Sequence, residues 1–381
     1  MESQVTLNPG WAPDGAAAGA SASGAAAIAA FHRSLPGFAA TPLVPLPGEA
    51  ATLGVARVLV KHERERLGLP SFKIVGAIWA VNVALAQRAG APAPAAFTEL
   101  LALAPALPDG TTLTTATDGN HGRAVAHAAR LLGLPARITV PAGTAPARID
   151  AIASEGAEVR IDAGSYDDAV RAVAAEAARD RAHVLVSDTS WLGYEAIPAA
   201  VADGYGTIFG EAYDQLSATS AAPRFDVAFV PAGVGAFASA AVRNLTARGC
   251  AVVTVEPVVA DCVRRSLAAG APTVVPAPHD SIMAGLNCGE ISAIAWPVLR
   301  AGVRAAVAVT DAETMAAMRT LDAAGMASGE SGAAALAGAR VLASDPEGAA
   351  LLAPDLTVLL LDTEGVTDPE RYATIVSPRS A

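Results

Sequence analysis

Short runs of β-branched and apolar residues alternate along most of the chain with longer, alanine-rich stretches. Runs of about four to eight such residues are typical of buried strands, and the longer stretches between them are typical of helices. The pattern predicts helices at Asn120–Leu132, Tyr166–Arg181 and Ala236–Ala247. It predicts strands at Val55–Val60, Thr111–Thr115, Ala136–Val140, Ala157–Ile161, Val184–Ser187, Val227–Val230, Val252–Glu256 and Leu356–Leu361.

Alternating strands and helices indicate an α/β protein with parallel-rich sheets flanked by helices. In such folds ligands bind where strands end and helices begin, because loops and helix N-termini there offer free backbone N–H groups. Residues 1–30 lack this pattern, since Pro9, Gly10 and Pro13 precede a run of small residues. We expect residues 1–30 to form a flexible arm.

Composition narrows the class of protein. The 381 residues are enough for two domains, and the net charge of −11, with no cluster of lysine and arginine, argues against nucleic-acid binding. Alanine supplies much of the 52% hydrophobic content, and no stretch predicts a membrane-spanning helix. Cys250, Cys262 and Cys288 lack CxxC spacing, and no HExxH pair occurs. We therefore expect a cytoplasmic protein without disulfides or a metal site.

Lys73 is the first candidate for chemistry. It lies in the apolar segment Ser71–Ala77, just before a predicted helix at Ala77–Gln87. An uncharged pocket around a lysine would lower the pKa of its amine and free it for Schiff-base chemistry. Alternatively, the side chain extends from the helix start into solvent. A cation at a helix N-terminus is mildly unfavourable, which favours the functional interpretation.

The segment Thr115–Gly122 is dense in polar residues and glycines, and it lies where the strand Thr111–Thr115 ends and a helix starts. Backbone N–H groups there could bind a substrate carboxylate, and Asn120 could hydrogen-bond a cofactor oxygen. The alternative is that Asp118 or Asn120 simply caps the helix. Capping accounts for one polar residue but not for this density, so we favour a functional segment.

The segment Pro231–Phe237 is a glycine turn that leads from a strand into a helix. Such turns bind phosphate through backbone amides and the helix dipole. It lacks the Gly-Lys-Ser/Thr ending of a Walker loop, and Ala238 stands where GxGxxG needs its third glycine. Glycines required only for the geometry of the turn remain the alternative.

The segment Leu361–Gly365 follows the last predicted strand. Thr363 could hydrogen-bond a ring nitrogen, whereas Asp362 and Glu364 are expected to form a solvated turn. Two further polar turns have helix capping as their alternative explanation, at Ser187–Thr189 and Ser328–Gly332.

In this order, the segments resemble the fold-type II (tryptophan synthase β-like) pyridoxal-phosphate (PLP) enzymes, and within them the diaminopropionate ammonia-lyases. The similarity runs from about Phe31 to Pro369. Its most specific stretches are GLPSFKIVGA, TATDGNHGRAVA, SDTSWLGYEAIP, PAGVGAFASA, IMAGLNCGE, SGESGA and DTEGVTDPE.

The resemblance implies a two-lobed fold and PLP as the cofactor. A large PLP-binding domain would comprise residues 31–89 and 191–381, and a small mobile domain residues 90–190. A homodimer follows by analogy, with a small amino acid as substrate and no nucleic-acid or membrane partner. Lys73 matches the lysine that binds the cofactor covalently, Asn120 the residue that bonds the pyridine hydroxyl, and Thr363 the residue beside the ring nitrogen. The phosphate loop is matched by Gly233, Val234, Gly235, Ala236 and Phe237.

The resemblance also implies a substrate site. Asp118 matches an acid/base carboxylate typical of the ammonia-lyases, and Asp188 matches a second carboxylate near the substrate. Thr117, Gly119 and His121 complete the implied set.

The expected reaction is β-elimination on 2,3-diaminopropionate, which yields pyruvate and two molecules of ammonia. Lys73 would exchange the α-proton, and Asp118 would act on the opposite face, which would allow both D- and L-substrates. The chain departs from the family pattern at His62 and Arg64, and at Leu192, where the family often has glutamate. The loss of that carboxylate is expected to alter either an outer shell of the site or the substrate preference.

Three other functions are compatible with parts of this pattern. Serine/threonine dehydration or β-replacement on another amino acid is the alternative within PLP chemistry, and Leu192 keeps it open. A non-catalytic small-molecule sensor is the alternative of another class, although Lys73, Asn120 and Thr363 argue against it. The missing third glycine and late position of the glycine turn argue against an NAD-dependent dehydrogenase.

Overall fold

The computed structural model describes residues 4–12, 22–117, 119–164 and 166–377. They fall into two compact units. Unit 1 contains residues 4–12, 40–65 and 208–377, and unit 2 contains the described residues of 22–39 and 66–207. In chain order the strands are Val5–Leu7 (β1), Leu43–Pro45 (β2), Arg57–His62 (β3), Thr112–Ala116 (β4), Ala136–Pro141 (β5), Glu158–Asp162 (β6), His183–Leu185 (β7), Val227–Pro231 (β8), Ala251–Pro257 (β9), Val303–Val309 (β10) and Thr357–Asp362 (β11).

The α-helices lie mostly between these strands, as expected for an α/β chain. They are Ala22–Arg33, Pro47–Leu53, Lys73–Ala89, Phe97–Leu101, Asn120–Leu132, Pro146–Ala153, Tyr166–Arg179, Ala196–Gly204, Gly206–Ser217, Ala236–Leu245, Cys262–Ala269, Trp296–Gly302, Asp311–Ala323, Glu330–Ser344 and Pro369–Val376. Within the described residues, none of these helices has the length and apolar character needed to cross a membrane.

Unit 1 is built on a sheet with the order β1-β10-β9-β8-β11-β3-β2. Its inner strands are parallel, and the short edge strands β1 and β2 pair antiparallel with their neighbours. The inner strands are buried on both faces, as parallel strands covered by helices are. The helix Glu330–Ser344 packs closely on this sheet, since a Cβ on Gly338 would lie 2.4 Å from Val255.

Unit 2 carries a four-stranded parallel sheet with the order β6-β5-β4-β7. The helix Asn120–Leu132 follows β4 directly and packs against it. Gly122 permits the close approach, because a Cβ there would lie 2.2 Å from the Thr117 methyl group and 2.7 Å from Ile138. The carboxyl end of β4 is therefore joined to a helix N-terminus by a short, tightly packed turn.

Unit 2 extends beyond the small domain predicted at residues 90–190. Residues 31–39, 66–89 and 191–207, which the prediction gave to the large domain, belong to unit 2. The physical reason is that helix Lys73–Ala89 packs directly on helix Ala196–Gly204.

Glycines allow these two helices to approach. A Cβ on Gly76 would lie 2.8 Å from the Val201 carbonyl oxygen, and one on Gly204 would lie 2.6 Å from the Val75 carbonyl oxygen. Larger residues at either position would force the helices apart, so this contact fixes the start of the Lys73 helix within unit 2.

The predicted strands are present, with ends shifted by at most two residues. The strand β10 was not predicted, because its sequence Val-Arg-Ala-Ala-Val-Ala-Val resembles the alanine-rich helices. The described part of residues 1–30 differs from the expected flexible arm: β1 pairs with β10, and a helix begins at Ala22. The rest of that arm, residues 1–3 and 13–21, lies outside the described residues.

Candidate functional site

Lys73 is the first residue of helix Lys73–Ala89, earlier than the predicted start at Ala77. Its side chain is 19% exposed, and its Nζ donates a hydrogen bond to Oδ2 of Asp188 at 2.9 Å. The sequence-based interpretation of Lys73 required an uncharged pocket. The pocket around this amine instead contains the carboxylate of Asp188. The carboxylate offsets the unfavourable placement of a cation at a helix N-terminus.

Asp188 is buried and follows β7 by three residues. Burial alone would raise its pKa, but the positive charge of Lys73, the neighbouring His121 and the hydrogen bond from Lys73 hold the pKa of this carboxyl well below its usual range. Asp188 is therefore a carboxylate across the physiological pH range, and it fixes the position of the Lys73 amine.

His121 belongs to the same group of side chains. Its Nε2 lies 2.8 Å from the Val186 carbonyl oxygen, so this nitrogen must carry the hydrogen and donate it. Its buried Nδ1 lies 3.8 Å from Oδ2 of Asp188 and has no hydrogen-bond partner among the described atoms. The imidazole thus presents a free nitrogen toward the carboxylate that holds Lys73.

Tyr205 joins this cluster, although sequence analysis did not single it out. Its ring is fully buried and packs on Phe72 with 4.8 Å between ring centroids. Burial raises the pKa of Tyr205, and the nearby ammonium of Lys73 only partly opposes that shift. The phenol therefore keeps its proton beside the amine. The only available signal was a tyrosine between two glycines in a chain with 4% aromatic residues.

The loop after β4 is organised by Thr117. Its Oγ1 accepts hydrogen bonds from the amides of Gly119 and Gly122, each at 3.0 Å. This hydroxyl therefore holds the turn into helix Asn120–Leu132, and Gly119 is the N-cap in place of the predicted Asp118 or Asn120. Asn120 is the first helical residue, and Asp118 lies outside the described residues. The roles of Thr117, Asp118, Gly119 and Asn120 toward ligands stay predictions.

The glycine turn in unit 1 connects β8 to helix Ala236–Leu245. Gly235 is the N-cap of this helix, with φ 91°, a conformation that favours glycine. Because glycine has no side chain, it offers no cap to the first amides of the helix. These amides are therefore suited to bind an anion.

The two glycines also keep the turn narrow. A Cβ on Gly233 would lie 3.0 Å from the Cys288 sulfur and 3.1 Å from the Gly285 carbonyl oxygen, and one on Gly235 would lie 2.8 Å from Leu299. The neighbouring Ser331 has a buried hydroxyl without a hydrogen-bond partner among the described atoms, and it lies beside Gly285. A turn with uncapped amides and an orphaned hydroxyl nearby fits a bound phosphate.

Val234, Ala236 and Phe237 of the same segment are buried. The Phe237 ring stacks on Phe209 with 5.4 Å between centroids, which anchors the first turn of the helix. Thr363 is buried directly after β11, and β11 is the parallel neighbour of β8. The structure therefore brings Thr363 and the segment 233–237 to the same edge of the unit 1 sheet.

Asp362 and Glu364 are not a solvated turn, and that expectation was wrong. They are 1% and 2% exposed. Asp362 accepts a hydrogen bond from Ser328 Oγ at 2.7 Å and contacts His62 Nδ1 at 2.5 Å. Burial raises the pKa of Asp362, while His62 opposes the shift. His62, where the chain departs from the family pattern, therefore contacts the buried Asp362, which directly precedes Thr363 in the sequence.

Leu192, another departure from the family pattern, has a 95% exposed side chain. It is at the tip of a short hairpin in which Trp191 and Tyr194 stack with 4.5 Å between ring centroids. Among the described residues, no group of three histidine, cysteine or acidic side chains could hold a metal ion.

Comparison with known proteins relates this arrangement to a family. The family model described as pyridoxal-phosphate dependent enzyme matches residues 35–361. The diaminopropionate ammonia-lyase of Escherichia coli K12 is 35% identical over 360 residues, covering 91% of this chain and 89% of that protein. That of Salmonella typhimurium LT2 is 36% identical over 372 residues, covering 92% and 91%.

Solved structures give the same result. The crystal structure of the Escherichia coli diaminopropionate ammonia-lyase with an aminoacrylate–PLP azomethine reaction intermediate has a TM-score of 0.86 and 32% identity, and the match covers 98% of this chain and 96% of that one. The complex of the same enzyme with D-serine has a TM-score of 0.87 with the same coverage. The predicted fold-type II architecture is confirmed.

Proposed function

The chain belongs to the pyridoxal-phosphate dependent enzyme family, and we propose that it removes the β-amino group of 2,3-diaminopropionate as ammonia. The remaining three-carbon unit takes up one water molecule and releases the second ammonia, which leaves pyruvate. The protein is thus a carbon–nitrogen lyase that acts on a small amino acid. Similarity to diaminopropionate ammonia-lyases over nine-tenths of the chain supports this substrate.

The residue that binds the cofactor covalently can be assigned because the sequence contains few lysines. Lys61 and Lys73 are the only lysines in the sequence. Lys61 is fully buried, and its Nζ is held by Glu211 at 2.8 Å and by the Thr41 carbonyl oxygen at 2.6 Å. Lys73 is partly exposed, and its Nζ contacts the Asp188 carboxylate. Lys73 is therefore the side-chain amine that can react with the aldehyde of the cofactor.

The remaining cofactor contacts are those that the resemblance to the family implies. The backbone amides of residues 233–237 would bind the phosphate, with the Ser331 hydroxyl nearby. Asn120 would bond the pyridine hydroxyl, and Thr363 would contact the ring nitrogen. When bound, PLP supplies an electron sink for the charge that develops at the substrate α-carbon. A neutral hydroxyl at the ring nitrogen favours elimination over transamination.

The protein residues transfer the protons. Lys73 takes the α-proton from one face of the substrate, and Asp118 acts on the opposite face, so both enantiomers can react. Asp188 orients the Lys73 amine and attracts the ammonium groups of the substrate. Tyr205 keeps its phenolic proton beside the Lys73 amine.

Substrate turnover tests the proposal. We expect both enantiomers of 2,3-diaminopropionate to release pyruvate with kcat/KM at least about tenfold above that for serine or threonine, since each carboxylate–ammonium contact contributes about 1.4 kcal/mol or more. Pyruvate would be measured with coupled lactate dehydrogenase.

Asp118→Asn is the matched variant for this experiment, because it preserves size and removes the charge. It should lose turnover of one enantiomer and retain the other. Turnover of serine without turnover of diaminopropionate would instead establish a dehydratase.

The phosphate loop leads to a second prediction. Gly235→Ala should weaken PLP binding about tenfold or more, because a left-handed alanine costs about 1–2 kcal/mol and its Cβ would push on Leu299. The measurement is the dissociation constant of PLP for the apoprotein. Gly270→Ala is the matched control, since φ is 70° there and no described atom lies within 4 Å of its Cβ. Equal loss of PLP affinity in both variants would contradict the phosphate role of the loop.

We place the enzyme in the cytoplasm as a homodimer. The described cysteines Cys250, Cys262 and Cys288 are free thiols, as in a reducing compartment. The dimer rests on analogy with the family, and light scattering of the holoenzyme would test it.

A further inference from the structure

Unit 2 contains a groove that has no part in the proposed reaction. It is lined by the last turns of helix Lys73–Ala89, by helix Tyr166–Arg179, by β7 and by the hairpin that carries Trp191. Its volume is about 570 Å³, which is in the usual range for sites that hold small molecules. We call it the Arg88 groove.

Two guanidinium groups dominate the charge of the Arg88 groove. Among the described residues, neither Arg88 nor Arg181 lies within 4 Å of a carboxylate. In the same unit, Arg123, Arg130 and Arg137 each pair with a glutamate at 3.3 Å or less. Arg88 donates one hydrogen bond, from Nη2 to the His183 carbonyl oxygen at 3.3 Å. Two arginines without a carboxylate partner in one groove would offer an anion two positive charges.

The rest of the lining is consistent with an apolar body attached to that anion. Trp191 is part of the lining, and its ring stacks on that of Tyr194. The helix Tyr166–Arg179 contributes small side chains to the lining, at Ala174, Ala177 and Ala178. Glu195 is the groove's one acidic residue, so the net charge of the lining stays positive. Aromatic and small apolar side chains together suit a flat ring.

The groove shares two elements with the Lys73–Asp188 pair. Lys73 begins the helix whose far end carries Arg88. The Tyr194 hydroxyl donates to the Leu185 carbonyl oxygen at 2.9 Å and accepts the Ser187 N–H at 3.0 Å. This tyrosine therefore connects the groove to the segment that ends in Asp188.

We propose that the Arg88 groove binds a small organic anion with an aromatic body, and that its occupancy alters the position of Asp188 through Tyr194. The carboxylate or sulfonate would bind Arg88 and Arg181, and the ring would pack against Trp191. Such a ligand acts as an effector, since the groove itself contains no residue assigned to the reaction.

The probe for the test is 8-anilinonaphthalene-1-sulfonate, a fluorescent aromatic anion. Titrated into the holoenzyme, it should bind at a saturable site with energy transfer from Trp191. The double variant Arg88→Gln/Arg181→Gln should bind it about tenfold or more weakly, the loss expected for removing charge-assisted bonds. Trp191→Phe should reduce the energy transfer, whereas Trp79→Phe should leave most of it. Saturating probe should change kcat of the wild type by at least about twofold and leave the double variant unaffected.

The double variant Arg160→Gln/Arg171→Gln is the control, because it removes the same charge from exposed positions of unit 2. Circular dichroism establishes that each variant is folded. Equal probe affinity in the two double variants would refute the site. Binding at the groove without any change in kcat would refute the effector role. The comparison of probe affinities and the effect of the probe on kcat can be measured with any amino acid that the enzyme turns over.

Discussion

Lys73→Ala is expected to abolish covalent attachment of PLP and to lower kcat by about 10³-fold or more. The reasons are the chemical roles of Lys73 and the small number of lysines in the sequence. Lys73 would both bind the cofactor and exchange the α-proton, and the only other lysine is fully buried and paired with Glu211. No second side-chain amine is available to replace it. The measurement is the visible absorbance of the holoenzyme together with pyruvate release.

Borohydride reduction provides the control. It should fix PLP to a peptide that contains Lys73 in the wild type, as identified by mass spectrometry. Lys61→Arg keeps the buried charge beside Glu211, removes the competing amine and should retain the label. A label on Lys61, or residual turnover near wild type in Lys73→Ala, would contradict the assignment.

The fold was largely predictable because its signal is local. Parallel strands that are buried on both faces give continuous apolar runs, as in Val227–Pro231 and Thr357–Asp362. The strand Val303–Val309 escaped prediction because alanine fills positions that usually carry β-branched residues. Its identity as a strand depends on pairing with β9 and β1, a non-local property.

The candidate site was predictable where one residue type has a distinctive neighbourhood. Lys73 and the glycine turn at 233–237 could be selected as candidates from the sequence because they stand at strand and helix boundaries. Tyr205 could not, since its contact with Lys73 bridges more than a hundred residues of sequence. The burial of Asp362 depends in the same way on His62 and Ser328, which come from distant segments.

The charge on Asp188 leads to the second large effect. Asp188→Asn keeps the shape of the side chain and its hydrogen-bond acceptor, but it removes the charge that faces Lys73 at 2.9 Å. Without that charge, burial disfavours the ammonium form and the amine loses its fixed position. We expect kcat/KM for diaminopropionate to fall about 10²-fold, because orientation and substrate attraction are both lost.

The same substitution predicts a pH signature in the stability of the apoprotein. The folded-state pKa of Asp188 is below its usual value, so its contribution to the free energy of unfolding is present above about pH 4 and disappears as the pH falls through the folded pKa. Asp188→Asn should therefore be less stable than the wild type by about 2 kcal/mol at pH 7. The difference should shrink in acid denaturation experiments below about pH 4.

A difference that is independent of pH would show that shape, and not charge, is what Asp188 contributes. Asp168→Asn, at an exposed carboxylate of the same unit, is the matched control and should change neither the stability nor kcat/KM.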